Sequence, residues 1–257
     1  MSSGQPLVKE ESRTEALFFD KINHGEKISD PIQLPSACHE LIKKTILMNF
    51  FAEWWGGVNY FRCLNLAPYF HEREHMQIIA REEMGHAHIL AKGSLSVLGI
   101  DPFQYLAKTV KEQKNILHVF QYPEKLCRSW GDVLIFNRLQ DSSADMQLDE
   151  FADAFFEPYC QDIKQIEAEE VGHVAHADQA IRDYMRQGPV KYELQQALNF
   201  WLPLVLDVFG KSKGKSEQLY LKYRLKQRTN EESRILFISR ITPFFQEMGL
   251  NHSLLNA

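Results

Sequence analysis

Glu82-Glu83-Met84-Gly85-His86 and Glu169-Glu170-Val171-Gly172-His173 are the same phrase, Glu-Glu-x-Gly-His, written twice in one chain. Within each, a Glu and a His stand three residues apart. On an α-helix that spacing puts both side chains on one face, close enough to bind one metal ion. A single Glu-x-x-His is common in helices and carries little information. Two copies, each preceded by a further acid at a matching distance, are a different matter. Glu53 and Asp141 lie about 30 residues before Glu83 and Glu170, room to run up one helix, turn and return to the same height on the next. Four helices would then aim four carboxylates and two imidazoles at one place. The predicted fold is all-α, built on a four-helix bundle.

The rest of the chain agrees with that reading. Pro31 and Pro35 precede a first long helix, Ser36 to Leu66, whose Ile42, Ile46, Phe50, Trp54 and Val58 recur at helical spacing. Glu53 sits among Phe50, Phe51, Trp54 and Trp55, where a carboxylate needs a proton, a cation or a metal. A second helix is predicted from Pro68 to about Leu98, stopped by Gly99, and Asp101-Pro102 opens a shorter one. Ser129 to Met146 and Pro158 to Gln187 form the third and fourth core helices. Gly188-Pro189 ends the fourth, and an apolar helix follows from Tyr192 to Phe209. The stretch Gly210 to Lys215 reads as a basic, flexible loop; Thr229-Asn230-Glu231-Glu232 fits a capping box for a last helix ending near Gly249. Residues 1–35 are expected as an arm or packing strap with an apolar patch at Leu17-Phe18-Phe19. Residues 36–188 are the bundle and 189–257 a C-terminal helical extension packed on it.

Composition bounds the partners. The 257 residues are 44% hydrophobic and 25% charged, the balance of a globular protein with a real core. A net charge of −5 and a pI near 6.1 give no reason to expect nucleic acid or an anionic membrane as main partner, and neither is predicted. No apolar run has the length of a membrane span, and Met1 to Thr14 lacks the apolar stretch of a signal peptide, so the expected location is cytoplasmic. Cys38, Cys63, Cys127 and Cys160 are scattered, which argues against a disulfide frame or a zinc site.

Carboxylates and imidazoles suit iron or manganese, and one acid from each of two helices with Glu-x-x-His from two others is the ligand pattern of ferritin-like di-metal proteins. The candidate catalytic and metal-ligating residues are therefore Glu53, Glu83, His86, Asp141, Glu170 and His173. Two adjacent iron(II) ions can jointly reduce O₂ and oxidise a bound substrate. Asp132 competes with Asp141, and Glu167, one turn before Glu170, could substitute as a ligand. Glu82 and Glu169 are rotated about 100° from their neighbouring ligands, a position for orienting groups or for the surface. His88 and His176 fall outside the pattern and read as solvated or as satisfied polar groups of the core.

With Arg81-Glu-Glu-Met-Gly-His-Ala-His88, Phe136-Asn-Arg-Leu-Gln-Asp141, Glu169-Glu-Val-Gly-His173 and Leu225-Lys-Gln-Arg-Thr-Asn-Glu-Glu232, the chain resembles the phenylacetic acid catabolic family from about residue 40 to 250. The likeness is to the catalytic subunits of its ring-1,2-phenylacetyl-CoA epoxidases, bacterial multicomponent di-iron monooxygenases. The fourth of those stretches carries no metal chemistry, so it supports the family beyond a shared bundle. The resemblance implies a cofactor of two Fe ions (Mn also fitting) and electrons from an external NAD(P)H-dependent flavin and iron–sulfur reductase. It implies an acyl-CoA substrate, one oxygen atom entering an aromatic ring as an epoxide, and a homologous structural subunit or a homodimer as partner. Lys211 to Lys215, or Lys222, Arg224, Lys226 and Arg228, would meet the CoA phosphates. Other classes on the same scaffold are a ferroxidase, a non-catalytic scaffold subunit, and an oxidase or hydroxylase acting on an amine or a lipid.

Overall fold

A computed structural model describes residues 4–112 and 127–256. Among them the chain is helical, without strands; one isolated parallel bridge pairs Ile28 with Phe156. The helices are α1 (Gly4–Asn23), α2 (Ser36–Cys63), α3 (Phe70–Lys92), α4 (Ser94–Val97), α5 (Pro102–Glu112), α6 (Trp130–Phe151), α7 (Glu157–Gln187), α8 (Lys191–Leu206), α9 (Lys215–Lys222) and α10 (Asn230–Glu247). No helix of the described residues is long and apolar enough to cross a membrane.

Two antiparallel hairpins, α2/α3 and α6/α7, make the bundle, and they meet along α3 and α7. Helix α2 is buried on several sides, through Ile42, Ile46, Phe50, Phe51, Trp55 and Tyr60, as befits a helix covered by several others. Gly56 and Gly57 lie inside it, each costing about 1 kcal/mol against Ala. Their reason is proximity. A Cβ on Gly57 would stand 2.8 Å from the Ala80 carbonyl oxygen and 2.9 Å from Met84 Cγ, so α3 passes against bare backbone.

The predicted second helix is in fact shorter and broken. Tyr69 is extended, so α3 begins at Phe70 rather than at Pro68. It ends at Gly93, where a Cβ would run into the Asp162 carboxylate; Asp162 of α7 accepts a 2.7 Å hydrogen bond from Ser94 N–H and so starts α4. Helix α6 runs past Met146 to Phe151 because Leu148 and Phe151 continue its buried face. Ser129 caps α6, and Thr229 with Glu232 forms the predicted capping box of α10.

Residues 4–23, within the expected arm or packing strap, form a helix. Phe18 is its anchor, packed edge-on against Phe155 at 5.0 Å and Tyr223 at 5.8 Å. Helix α8 covers α6: Trp201 is fully buried, 4.6 Å from the Phe136 ring, and burial of each such side chain stabilises by about 1.5–3 kcal/mol. The loop after α8, expected to be basic and flexible, is tied to its surroundings by hydrogen bonds. Gly210 turns it at φ +83, Asn230 Nδ2 donates to Lys211 O at 3.0 Å, and Arg234 donates to Ser212 Oγ at 2.8 Å.

Candidate metal centre

All six predicted site residues meet in the middle of the bundle, and none is more than 8% exposed. Buried to that degree, ionisable groups must neutralise one another or hold a cation. Their contacts form one continuous chain. His86 Nδ1 lies 3.2 Å from Glu53 Oε2 and 3.1 Å from Glu170 Oε1. His173 Nδ1 lies 3.3 Å from both Glu83 Oε1 and Glu170 Oε2. The two imidazole rings are 6.1 Å apart with Glu170 reaching both. Asp141 joins from α6, on the cavity wall it shares with Glu53, Glu83 and Glu170.

Four of these residues, Glu53, Glu83, His86 and Glu170, offer ligand atoms that all lie within 4.8 Å of one another, the geometry of a metal-binding group. His173 supplies a further sign. Its Nδ1 is buried and near two carboxylates, yet aligned for a hydrogen bond with neither. A nitrogen so placed, facing carboxylate oxygens across a gap, fits a shared cation better than a shared proton. The donor set also fits: carboxylates with two imidazoles and no thiolate suit iron or manganese.

The electrostatics carry the same message. Burial raises Glu53, and raises Glu83 well above the usual carboxylate range. Burial also lifts Asp141 to about 7. Burial works against charge on His86, but hydrogen bonds to Glu170 and Glu53 outweigh it and lift the imidazole to about 11. The same contest on His173, decided by Glu170 and Glu83, ends at about 12. Burial works against charge on Glu170, but the two imidazoles beside it, at 3.1 and 3.3 Å, outweigh it and hold the carboxyl down to about 2. Left to the protein's own groups, the cluster gathers protons to balance its carboxylates, a place that divalent cations would take.

Glu82 and Glu169 have a definite place. The outer nitrogen of His86 donates to Glu169 Oε2 at 3.1 Å, and that of His173 donates to Glu82 Oε2 at 3.1 Å. Each acid therefore orients the imidazole of the other phrase, across the α3/α7 seam, and turns Nδ1 toward the cluster.

Asp132 is not in the cluster: it accepts from Arg128 N–H at 2.9 Å at the start of α6. Glu167 lies beside Asp149, not in the cluster, and His88 is exposed. His176 pairs with Glu72 at 3.1 Å, away from the centre. The basic stretch is largely used internally. Lys222 pairs with Glu15 at 2.7 Å, Arg224 donates to Asn23 Oδ1 at 2.7 Å, Lys226 is buried beside Asn230, and Arg228 reaches Glu150 at 3.9 Å.

Two contributors went unpredicted. Tyr60 O–H donates to Asp141 Oδ2 at 3.1 Å; it lies seven residues after Glu53, on the same helix face, and that register was the available signal. Gly56 is the other. A Cβ there would stand 3.1 Å from Glu83 Cδ and closer still to its carboxylate oxygen, so the missing side chain makes the room that Glu83 occupies. Beside the cluster is a cavity of about 50 Å³, lined on one side by Ala52, Gly56 and Asn59 and on the other by Phe136, Gln140 and Ala144.

Comparison with curated proteins finds no match. A family model described as phenylacetic acid catabolic protein matches residues 28–253. That span takes in the whole bundle, the paired Glu-Glu-x-Gly-His phrases and the C-terminal helices packed on α6, and by it the chain belongs to the family of phenylacetic acid catabolic proteins.

Proposed function

We propose that this chain is the catalytic subunit of a multicomponent di-iron monooxygenase that epoxidises the aromatic ring of an acyl-CoA such as phenylacetyl-CoA. The observation that carries the reading is the enclosed set of Glu53, Glu83, His86, Asp141, Glu170 and His173 with a cavity at its side. In this reading those six residues hold two iron ions, Mn fitting the same donors, and the ions supply the electron-transfer chemistry that activates O₂. One oxygen atom enters the ring; the other leaves as water, with two electrons and two protons. The electrons come from outside, through an NAD(P)H-dependent flavin and iron–sulfur reductase. The chain's own four cysteines are scattered and buried, without a set of thiolates for a cluster.

The protein's groups have separable tasks. Glu82 and Glu169 fix the imidazoles, Tyr60 O–H holds Asp141 in one orientation, and Ala52, Phe136 and Ala144 give the cavity an apolar stretch of wall. Size sets a condition on the substrate. The cavity of about 50 Å³ is a third of the roughly 150 Å³ that accommodates benzene in an engineered protein core. An aromatic ring therefore enters only when the α2 and α6 walls part, while the CoA moiety stays outside. Partner-subunit docking is a natural trigger for that opening.

The small cavity also favours a second reading, in which the chain is the structural subunit of such a complex and protonated imidazoles hold its cluster together. One experiment separates them. Iron content and O₂ consumption are measured for the wild type and Glu170→Ala, with phenylacetyl-CoA and a reductase present. About two irons per chain, lost in the variant, with substrate-dependent oxygen use, supports the first reading. Iron without such turnover throws the substrate open, and protein that stays iron-free after reconstitution selects the second.

A further inference from the structure

The cavity beside the metal centre has a polar side that the metal ligands do not account for. Three carboxamides line it: Asn59 from α2, and Asn137 and Gln140 from α6. Asn137 and Gln140 lie on the face of α6 that carries Asp141, one turn before it and directly before it. Asn59 is 5% exposed. Its Oδ1 and the Oε1 of Gln140 are enclosed without a hydrogen-bond partner. Among the described residues none of the three N–H₂ groups has an acceptor either. A buried carboxamide left unmatched is a standing cost to the fold, and several on one cavity wall call for a ligand that completes them.

We propose that Asn59, Asn137 and Gln140 read the acyl link of the substrate, donating hydrogen bonds to the carbonyl that joins the aromatic ring to the thioester sulfur. The assignment rests on the acyl-CoA reading above and deepens it. The composition of the wall selects for an acceptor. Its other polar side chains are the ligand carboxylates, which accept, and Tyr60, whose O–H is already given to Asp141. The carboxamides are therefore the donors this cavity has free. A bare hydrocarbon offers them nothing to bond, whereas a thioester carbonyl accepts twice through its two lone pairs. A site built in this way discriminates against an analogue that lacks the bonded group. Asn59 belongs to α2 and the other two to α6, the walls that part to admit a ring, so the acyl link lies between them once the ring has entered. Neutral amides hold it there without adding charge to a centre already rich in carboxylates.

The test compares two ligands that differ only at the carbonyl: phenylacetyl-CoA and S-(2-phenylethyl)-CoA, the thioether with CH₂ in place of C=O. Both are titrated by calorimetry into the iron-loaded full chain without oxygen, so that binding is read apart from turnover. Wild type is expected to prefer the thioester by about tenfold or more, the size of one to two neutral hydrogen bonds. Asn59→Leu/Gln140→Met keeps side-chain bulk and removes two of the amides. Its preference is expected to fall to about threefold or less, what the remaining donor on Asn137 sustains. Its affinity for the thioether stays near wild type, and its Tm does not fall, because two enclosed oxygens without partners are gone. A purely structural role for the amides would instead weaken both ligands together. A preference that survives in the double variant, or a wild type that binds both ligands alike, overturns the assignment and leaves the acyl-CoA reading standing. A wild type that binds neither ligand fails that reading and takes the assignment with it.

Discussion

Gly56→Ala should separate the stability of the bundle from its capacity to hold metal. In a helix interior the change from Gly to Ala is favourable by about 1 kcal/mol. Here the new methyl falls inside contact distance of the Glu83 carboxylate and 3.1 Å from Glu83 Cδ, and the end of a flexible side chain is the part that yields. Glu83 moves, giving up its 3.3 Å approach to His173 and its place among the four converging ligand atoms. The propensity gain and the lost pairing oppose each other, so the metal-free Tm should stay within about 4 °C of wild type for a chain of this size. Affinity for Fe²⁺ or Mn²⁺ should fall by more than the roughly 10- to 100-fold typical of losing an orienting partner. Anaerobic calorimetric titration next to thermal unfolding reads both quantities. Gly57→Ala is the contrast. Its Cβ meets the Ala80 carbonyl oxygen at 2.8 Å, backbone that cannot step aside, so α2 and α3 are forced apart at a cost of about 1–3 kcal/mol. Wild-type metal affinity in Gly56→Ala would refute the reasoning, because Glu83 would then be neither held by that gap nor needed as a ligand.

Tyr60→Phe removes the donor to Asp141, so the Asp141 pKa should rise beyond about 7 and metal affinity at pH 7 should drop by about 1.5–3 kcal/mol, read by the same titration at several pH values. Glu82→Ala and Glu169→Ala should each weaken metal about 10- to 100-fold while leaving the fold intact; an effect confined to one of them would contradict the symmetry of their bonds. Metal must displace protons from His86 and His173, at about 11 and 12, so binding near pH 7 should release protons and tighten as pH rises, measured by calorimetry in buffers of different ionisation heat. In the metal-free protein those raised values stabilise the fold fully below the unfolded imidazole pKa of about 6.5. That contribution is lost as pH climbs through 11 to 12, so a metal-free Tm that fell only toward acid would contradict it. Asp162→Ala strips the cap from Ser94 N–H and should cost about 0.5–2 kcal/mol in thermal unfolding, with no loss implying that α4 does not depend on α7.

The centre was legible from sequence because its information is periodic. Two Glu-x-x-His phrases and two acids about 30 residues upstream need only the pitch of a helix to be brought together. The last helix, announced by its capping box, was legible for the same reason: Thr229 acts on a residue three positions away. What escaped depends on contacts distant along the chain. At Gly93 the sequence offers a local stop signal, a glycine after Lys92, but what fixes the break and starts α4 is Asp162, 68 residues after the Ser94 N–H it accepts from. Helix α1 is polar along much of its length and takes its place through contacts distant in sequence: Phe18 against Phe155 and Tyr223, and Glu15 against Lys222. Gly56 and Gly57 stood in plain view, and two glycines in mid-helix signal close approach. What approaches, a ligand carboxylate in one case and a carbonyl in the other, is a property of α3.

The crossed bonds, Glu82 to His173 and Glu169 to His86, mean that neither hairpin owns a finished half-site. Each carries an imidazole whose alignment is held by the other, and Glu170 is shared between both rings. The pocket is thus an interlock, assembled only when two pieces of chain more than 80 residues apart in sequence have docked. In folding terms its completion is a late, long-range event, and tight metal capture reports that docking directly. An ion arriving early finds loose carboxylates on separate hairpins; one arriving after docking finds both imidazoles already aimed and is held by the two halves at once.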